Sequence, residues 1–272
     1  MNLEAAAVEA LGLIGARPLG SGGQKTVMDA TLKGERVAAK VVRLASDEGP
    51  EIALERARRE FEALHRISDP HVVGVRSELV ELEDAGEVVA AAWAEEFIEG
   101  DDFGALLADP WTWPATATMV KQVATGLSAF HDQGIIHRDL SPGNVRRRTS
   151  GSWVVLDPGY ARFIDFSTIT RAGQPGTVGH LSPEHVDPRT EPEQRSDIFQ
   201  LGILAYVALT GTYPFDPNDA AALIRGRAQP VRNLRDDLSS AEAAVIDKMI
   251  DVRTARRHRN IHQLTLEIED VS

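Results

Sequence analysis

The sequence predicts an α+β protein in two parts, a small antiparallel β-sheet carrying one helix in residues 1–98 and a mainly α-helical portion in residues 99–272. Two observations support this class. Before residue 98, short runs rich in valine and alanine alternate with glycine turns, a pattern typical of hairpins. After Glu99-Gly100 the apolar residues recur at helical spacing over longer segments. The 272 residues suffice to bury a substantial core.

The first part begins with an alanine-rich amphipathic helix, predicted over residues 3–14. A glycine turn within residues 19–27 then joins two extended runs, and Lys33-Gly34-Glu35 predicts a hairpin turn. The remaining predicted elements are a strand at 36–44, a helix at 51–67, and strands at 73–82 and 88–97. These runs predict an antiparallel sheet of about five strands with one helix on it.

The second part contains a short hairpin that includes residues 153–156 and a long glycine- and proline-containing loop at 158–183. Pro114 is suitably placed to begin a helix, since its missing N–H is not needed there. The predicted helices span 103–108, 114–133, 194–210, 217–226, 239–250 and 260–269.

Composition excludes several classes of function. A net charge of −12 argues against a nucleic-acid-binding surface. The absence of cysteine excludes disulfides, thiolate metal sites and cysteine nucleophiles. No apolar run reaches the length of a membrane helix, and no signal peptide is recognisable. We therefore expect a cytoplasmic protein, while a membrane-anchored parent chain remains an alternative and the oligomeric state stays unspecified.

The most informative segment is His137-Arg138-Asp139-Leu140-Ser141-Pro142-Gly143-Asn144. It places a carboxylate and a carboxamide five positions apart on one short loop. Such a loop suits phosphoryl transfer, because Asp139 can accept the proton of an attacking hydroxyl and Asn144 can offer an oxygen to Mg²⁺.

A second group of residues lies in the first part. Gly20-x-Gly22-x-x-Lys25-x-Val27 is a glycine turn whose backbone amides can approach phosphate oxygens, although a lysine holds its third glycine position. Lys40 lies in an apolar strand and is one of only five lysines among 29 basic residues, which suggests a specific role. A buried ammonium is costly unless paired, and Glu60 on the following helix is the best candidate partner.

Together these motifs resemble the protein kinase family, over about residues 17–264. Val37-Ala38-Ala39-Lys40 resembles the strand lysine motif, Glu60 its helix partner, and Asp157-Pro158-Gly159 the magnesium-binding motif. Further along, the resemblance covers Gly176-Thr177, Ser182-Pro183-Glu184, the helix segment that begins Ser196-Asp197, and Arg257. It implies that Asp197 braces the catalytic loop and that Arg257 pairs with Glu184.

The resemblance implies a bilobal fold with a site for ATP and Mg²⁺. Lys40 would hold the α- and β-phosphates with Glu60 securing it, Asp139 would orient the acceptor hydroxyl, and Asn144 and Asp157 would ligate Mg²⁺. The nucleotide-binding residues it implies are Gly20, Ser21, Gly22, Gly23, Val27, Ala38, Lys40, Glu96, Ile98 and Asp102. Arg138 suggests control by phosphorylation, with Ser167, Thr168 and Thr170 as candidate acceptors for autophosphorylation.

Four positions depart from the family pattern. Ser141 replaces a lysine that commonly touches the γ-phosphate, and Pro158 replaces a phenylalanine and should stiffen its turn. Glu95 occupies the gatekeeper position, and Arg146 lies where an aliphatic side chain usually forms the floor under adenine. Three interpretations of Glu95 and Arg146 are open. The two side chains turn outward or pair with each other, they alter the nucleotide preference, or they block the base pocket.

The sequence therefore predicts an ATP-dependent serine/threonine protein kinase domain whose partner is a protein substrate. Two alternatives remain. One is a nucleotide-binding pseudokinase that acts through its partners, and the other is a kinase-like enzyme that phosphorylates a small molecule. The Ser182-Pro183-Glu184 segment argues against the small-molecule alternative, because small-molecule kinases of this fold usually lack it.

Overall fold

A computed structural model describes residues 1–22, 24–44, 49–158, 178–187, 189–217 and 219–271. The chain divides into two compact units, Met1–Ile98 and Glu99–Ser272. The first unit contains an antiparallel sheet and the second is mainly helical, so the predicted α+β class is confirmed.

The first unit is built on a five-stranded antiparallel sheet of strand order β1-β2-β3-β5-β4. Its strands are β1 (Ile14–Gly22), β2 (Lys25–Leu32), β3 (Glu35–Arg43), β4 (Val80–Asp84) and β5 (Glu87–Glu96). Two helices accompany it, α1 (Leu3–Leu11) and α2 (Pro50–His65).

The two faces of this sheet bury different residues, because successive side chains along a strand point to opposite sides. On β3, Ala39 and Val41 join the apolar cluster that includes Ala7 of α1. Val42 points the other way and joins Phe61 of α2 in a second cluster. Helix α1 therefore covers one face of the sheet and α2 lies on the other.

Two predicted elements of the first unit are corrected. The predicted helix at 3–14 ends at Leu11, because Gly12 adopts a φ of 67° and closes it with a left-handed cap. The predicted strand at 73–82 is mostly wrong, since β4 begins only at Val80. Val73 is buried outside any strand, and Val75 makes a single bridge to Glu95, so its apolar run reflects burial of a loop.

The second unit opens with a three-stranded sheet of β6 (Gly100–Asp102), β7 (Val145–Arg148) and β8 (Trp153–Val155), in that order. The predicted helix at 103–108 is a single 3₁₀ turn, Gly104–Leu106. The described α-helices of this unit are α3 (Trp113–Asp132), α4 (Pro183–Val186), α5 (Gln194–Thr210), α6 (Ala220–Arg225), α7 (Ser240–Met249) and α8 (Ile261–Asp270).

Helix α5 is the centre of the second unit. Every residue from Ser196 to Leu209 is buried, so the helix presents no solvent-facing stripe. Asp197 near its start is fully buried. A rigid, enclosed element thus carries a charged side chain toward the loop that precedes β7. In the part of the chain that the structure describes, no helix is both long and apolar enough to cross a membrane.

Candidate active site

The buried carboxylate of Asp197 holds the loop His137–Asn144 in place. Its Oδ2 accepts a hydrogen bond from the backbone N–H of His137 at 2.9 Å, and its Oδ1 accepts one from the N–H of Arg138 at 2.9 Å. His131 of α3 donates from Nε2 to the same carboxylate at 2.8 Å. The bracing role implied for Asp197 is thus present in the structure.

The protonation of this cluster follows from its contacts. Burial alone would raise the pKa of Asp197, but the hydrogen bond and charge of His131 and the backbone donors hold that pKa below its usual range. The ring of His137 donates from Nε2 to the carbonyl of Leu156 at 2.7 Å and accepts at Nδ1 from the N–H of Asp139 at 3.3 Å. These two contacts fix the orientation of the ring within the loop.

Asp139 and Asn144 are brought together within the loop. The amide nitrogen of Asn144 donates to the carboxylate Oδ2 of Asp139 at 3.1 Å and to the backbone carbonyl of Asp139 at 2.8 Å. Neither bond uses the amide oxygen of Asn144, which is the atom a metal ion would need. Gln200 of α5 adds further support, accepting from the N–H of Leu140 at 3.3 Å.

The β7–β8 hairpin begins directly after Asn144 and ends shortly before Asp157, so both residues lie at the same end of the hairpin. Val145 pairs with Val155, and the N–H of Leu156 donates to the carbonyl of Asn144 at 2.9 Å. Asp157 follows directly, with a φ of 33° in the left-handed region. The hairpin therefore sets a carboxylate and a carboxamide at its open end.

Oxygen donors of this kind fit Mg²⁺, which prefers hard oxygen ligands and keeps several waters or substrate phosphates. Among the described residues, no group of three or more His, Asp and Glu side chains is arranged to hold a metal ion. The Asn144 and Asp157 pair would therefore depend on phosphate oxygens or water to complete a coordination shell.

A buried ion pair lies beyond the loop His137–Asn144. Arg257 donates from Nη1 and Nη2 to the two carboxylate oxygens of Glu184, at 2.9 and 2.8 Å. Burial works to raise the pKa of Glu184, but the hydrogen bonds and charge of Arg257 lower that pKa to about 2. Ser196 of α5 also donates to this carboxylate at 2.8 Å, so the pair implied by the resemblance is present.

In the first unit, the partners of Lys40 and Glu60 differ from the simple pair expected. Their charged atoms lie 3.7 Å apart, but each has a nearer partner. The Nζ of Lys40 is 2.8 Å from Oε1 of Glu95. Both carboxylate oxygens of Glu60 accept from the Nζ of Lys25 at 2.8 Å. Two lysines and two glutamates thus share one site.

Glu95 does not turn outward, which corrects one of the alternatives drawn from the sequence. Its side chain is 3% exposed, and it accepts a hydrogen bond from the indole N–H of Trp93 at 2.7 Å as well as binding Lys40. Arg146 of β7 donates from Nη2 to the carbonyl of Gly100 in the neighbouring strand β6. Its Nε is buried without a hydrogen-bond partner in the part of the chain described.

The remaining predicted nucleotide-binding residues lie on the sheets. Gly20, Ser21 and Gly22 end β1, Val27 lies on β2, Ala38 on β3, Glu96 ends β5, Ile98 follows it, and Asp102 ends β6. Glu96 uses its N–H for the carbonyl of Gly74 at 2.7 Å, and Asp102 accepts from the N–H of Ala105 at 2.8 Å. The contribution of Glu96 to a ligand would therefore come from its carbonyl.

Several predictions fall on residues outside the described ranges. Gly23 of the glycine turn is one of them. Ser167, Thr168 and Thr170, the candidate phosphate acceptors, also lie outside the described residues. The same is true of Gly159 and of Gly176-Thr177. Their proposed roles remain predictions.

Sequence reasoning missed the role of Lys25, which appeared only as an exception to a glycine pattern. A usable signal was present in strand parity. Lys25 and Val27 share a face of β2, and Val27 pairs directly with Lys40 in the register of β2 and β3. Lys25 therefore lies on the same face of the sheet as Lys40, and this shared face is a signal that both lysines approach the same carboxylate, Glu60.

Comparisons with known proteins agree with this architecture. Residues 15–265 match the family model described as the protein kinase domain, and the chain belongs to that family. It is 28% identical over 261 residues to a probable serine/threonine-protein kinase PknB of Lactococcus lactis, covering 93% of this chain and 40% of that protein.

Two further relatives carry similar descriptions. The chain is 31% identical over 270 residues to the serine/threonine-protein kinase pkn2 of Myxococcus xanthus, covering 91% of this chain and 31% of that protein. It is 35% identical over 199 residues to the serine/threonine-protein kinase PkaA of Streptomyces coelicolor, covering 70% of this chain and 35% of that protein. The chain thus spans less than half the length of each of these relatives.

Proposed function

We propose that this chain is the catalytic domain of an ATP-dependent protein kinase that phosphorylates serine or threonine hydroxyls with Mg²⁺. The observation that carries the proposal is the bond from Asn144 to the Asp139 carboxylate, within a loop fixed by the buried Asp197. The names of the relatives, which specify serine and threonine, support the acceptor class.

The chemistry asks the protein mainly to position groups, since phosphoryl transfer needs little covalent help. Asp139 would accept a hydrogen bond from the acceptor hydroxyl and take its proton as the new P–O bond forms and the bond from the γ-phosphorus to the β,γ-bridging oxygen breaks, releasing ADP. The amide nitrogen of Asn144 holds the Asp139 carboxylate at 3.1 Å, which limits the orientations of that base. His137 and Asp197 hold the backbone on which both side chains sit.

Asn144 and Asp157 are the residues that would hold Mg²⁺, through the amide oxygen and the carboxylate. When bound, the ion neutralises negative charge on the phosphates and polarises them. The amide of Asn144 is oriented by its two bonds to Asp139. Asp157 is placed by the hairpin pairing of β7 with β8.

Lys40 would supply a positive charge to the α- and β-phosphates. The glycine turn, including Gly20 and Gly22, would offer backbone N–H groups to the same phosphates. Val27 and Ala38 would contact the base, with the backbone of Glu96 and Ile98 at its polar edge and Asp102 at the ribose. Ser141 adds no positive charge where many relatives would place one, so Lys40 would bear more of the electrostatic load.

The test is phosphate transfer from γ-labelled ATP with Mg²⁺ to a generic protein acceptor and to the chain itself. Asp139→Asn should reduce transfer by about a thousandfold, because it removes the base while keeping the side-chain volume. Asp132→Asn is the matched control, since Asp132 is an exposed residue at the end of α3. Equal transfer by Asp139→Asn and the unchanged protein would refute the catalytic assignment.

The chemical identity of the labelled product decides the acceptor class. Acid hydrolysis of the labelled protein should release phosphoserine or phosphothreonine. Label found only on a small-molecule acceptor added in parallel would favour the kinase-like enzyme that phosphorylates a small molecule. Chelation of Mg²⁺ should abolish the transfer. Transfer that persists without the metal would contradict the assignment of Asn144 and Asp157 as metal ligands.

A pseudokinase is the second candidate, and one observation favours it. Lys40 lies 2.8 Å from the buried carboxylate of Glu95, which competes with phosphate for the same ammonium. A pseudokinase would show an increase in thermal stability with ATP but no labelled product. Transfer that is abolished by Asp139→Asn would exclude this candidate.

A further inference from the structure

Four charged side chains meet on one face of the sheet in the first unit. Val27 of β2 pairs with Lys40 of β3, and Lys40 pairs with Trp93 of β5. Lys25 and Glu95 lie two residues from Val27 and Trp93 respectively, so all of these side chains point to the same side. That side is the one on which α2 packs, and α2 contributes Glu60.

The contacts form a chain of alternating charge. Lys25 holds both oxygens of Glu60 at 2.8 Å, Glu60 lies 3.7 Å from Lys40, and Lys40 lies 2.8 Å from Glu95. Three of the four side chains are nearly enclosed, with 5% exposure for Lys40 and 3% for both Glu60 and Glu95. Lys25 is the accessible member at 29%.

Buried charges are stable only when they are balanced. Lys40 and Glu60 alone would form a neutral pair. Glu95 adds one negative charge to that pair, and Lys25 adds one positive charge. With both present, two ammonium groups face two carboxylates.

We propose that Lys25 and Glu95 act as a compensating pair, in which Lys25 offsets the charge of the Glu95 carboxylate so that Lys40 keeps its positive potential for phosphate. Lys25 is then a positioning residue, acting on Lys40 through Glu60. This inference rests on the proposed function for its consequence on nucleotide binding, but the pairing itself does not depend on that function.

The consequence is an order of nucleotide affinities set by the net charge of the four positions. Lys25→Met leaves a net charge of −1, with Glu60 and Glu95 both directed at Lys40, and should weaken binding. Glu95→Gln keeps an acceptor for the indole N–H of Trp93 and leaves a net charge of +1. The double variant has a net charge of zero at the four positions, where Lys40 and Glu60 are then the two charged residues.

The binding experiment uses Mg²⁺ and an ATP analogue whose β,γ-bond cannot be cleaved, measured by calorimetry on the full chain. Lys25→Met should weaken affinity about tenfold, and adding Glu95→Gln should restore it to within about twofold. Glu95→Gln alone should bind at least as tightly as the unchanged protein. Lys33→Met is the control, since Lys33 is an exposed lysine in the β2–β3 turn of the same sheet.

A merely structural role for Lys25 predicts a different result, because a general loss of order is not repaired by a second substitution. If Lys25→Met weakens binding and Glu95→Gln fails to restore it, the inference is overturned. An affinity of Lys25→Met equal to that of Lys33→Met would overturn it as well.

A second measurement separates this inference from the proposed function. Without nucleotide, Lys25→Met should lower the thermal midpoint by about 3 °C, and by about 1 °C or less in a Glu95→Gln background. A smaller midpoint shift in the Glu95→Gln background supports the pairing of Lys25 with Glu95, whether or not the unchanged protein binds the analogue. Failure of the unchanged protein to bind the analogue would refute only the proposed function. Additive midpoint shifts would refute the pair whatever the nucleotide result.

Discussion

The two units secure their key residues in different ways. In the second unit, Asp197 accepts hydrogen bonds from the backbone of His137 and Arg138, and Arg257 donates to the backbone carbonyls of Asp251 and Arg195 as well as to Glu184. In the first unit, the described contacts that join Lys25, Lys40, Glu60 and Glu95 run between side chains, at distances from 2.8 to 3.7 Å.

The difference shows how specific each arrangement is. A backbone N–H cannot move to another partner without unfolding its loop, so the contacts of Asp197 have no substitute. Side chains of two lysines and two glutamates can exchange partners by rotating a few bonds. The second unit should therefore be intolerant of single changes, while the first should partly recover from them.

The largest expected effect comes from Asp197→Asn. The amide cannot accept from both backbone donors and from His131, so a buried donor loses its partner and the charge is lost. We expect the free energy of unfolding to fall by about 3 kcal/mol, measured by urea denaturation. Asp236→Asn, at an exposed position, should change it by about 0.5 kcal/mol or less. A small effect of Asp197→Asn would remove the contrast between the units.

The next effect is the pH dependence that Glu184 contributes. Because its pKa in the folded protein is about 2, compared with 4.5 ordinarily, the folded state favours the ionised form. The stabilisation is present above pH 4.5 and is lost as the pH falls toward 2. Between about pH 6 and about pH 3, the unchanged protein should lose about 2 kcal/mol more stability than Glu184→Gln. Parallel pH profiles of the two proteins would contradict this.

A smaller effect is expected for Glu60→Gln in the first unit. Lys40 retains Glu95 at 2.8 Å, so the loss falls mainly on the contact with Lys25. We expect destabilisation of about 1 kcal/mol by urea denaturation, roughly a third of that for Asp197→Asn. A loss as large as that of Asp197→Asn would show that the partners in the first unit cannot exchange.

The smallest effect sets the baseline for the comparison. Arg59 and Glu55 form an exposed pair one turn apart on α2, with side chains 62% and 53% accessible. Arg59→Ala should change the free energy of unfolding by about 0.5 kcal/mol or less. A larger loss would mean that the surface of α2 contributes to the charged site beneath it.

Much of the fold could be predicted from periodicity. The helix predicted at 194–210 matches α5 (Gln194–Thr210), and the five-stranded antiparallel sheet is present. The strand predicted at 73–82 is mostly wrong because Val73 is apolar and buried without belonging to a strand. An apolar run indicates that a segment is buried, but only the pattern of backbone hydrogen bonds distinguishes a strand from a buried loop.

The candidate site shows a similar limit. The contacts of Asp197 and Arg257 were predictable from the resemblance, because each has a distinctive partner in the sequence. The attachment of Lys25 to Glu60 was not, since two lysines and two glutamates permit several pairings. The choice among them depends on side-chain distances that differ by less than 1 Å in the structure.

Helix α5 has a consequence for the motions of the second unit. Since the residues from Ser196 to Leu209 are all buried, their amide protons reach water only when surrounding elements detach. Hydrogen exchange should therefore be slowest along this segment, approaching the rate set by global unfolding. Asp197 lies in its first turn, so the support of the loop His137–Asn144 belongs to the part of the unit that opens last.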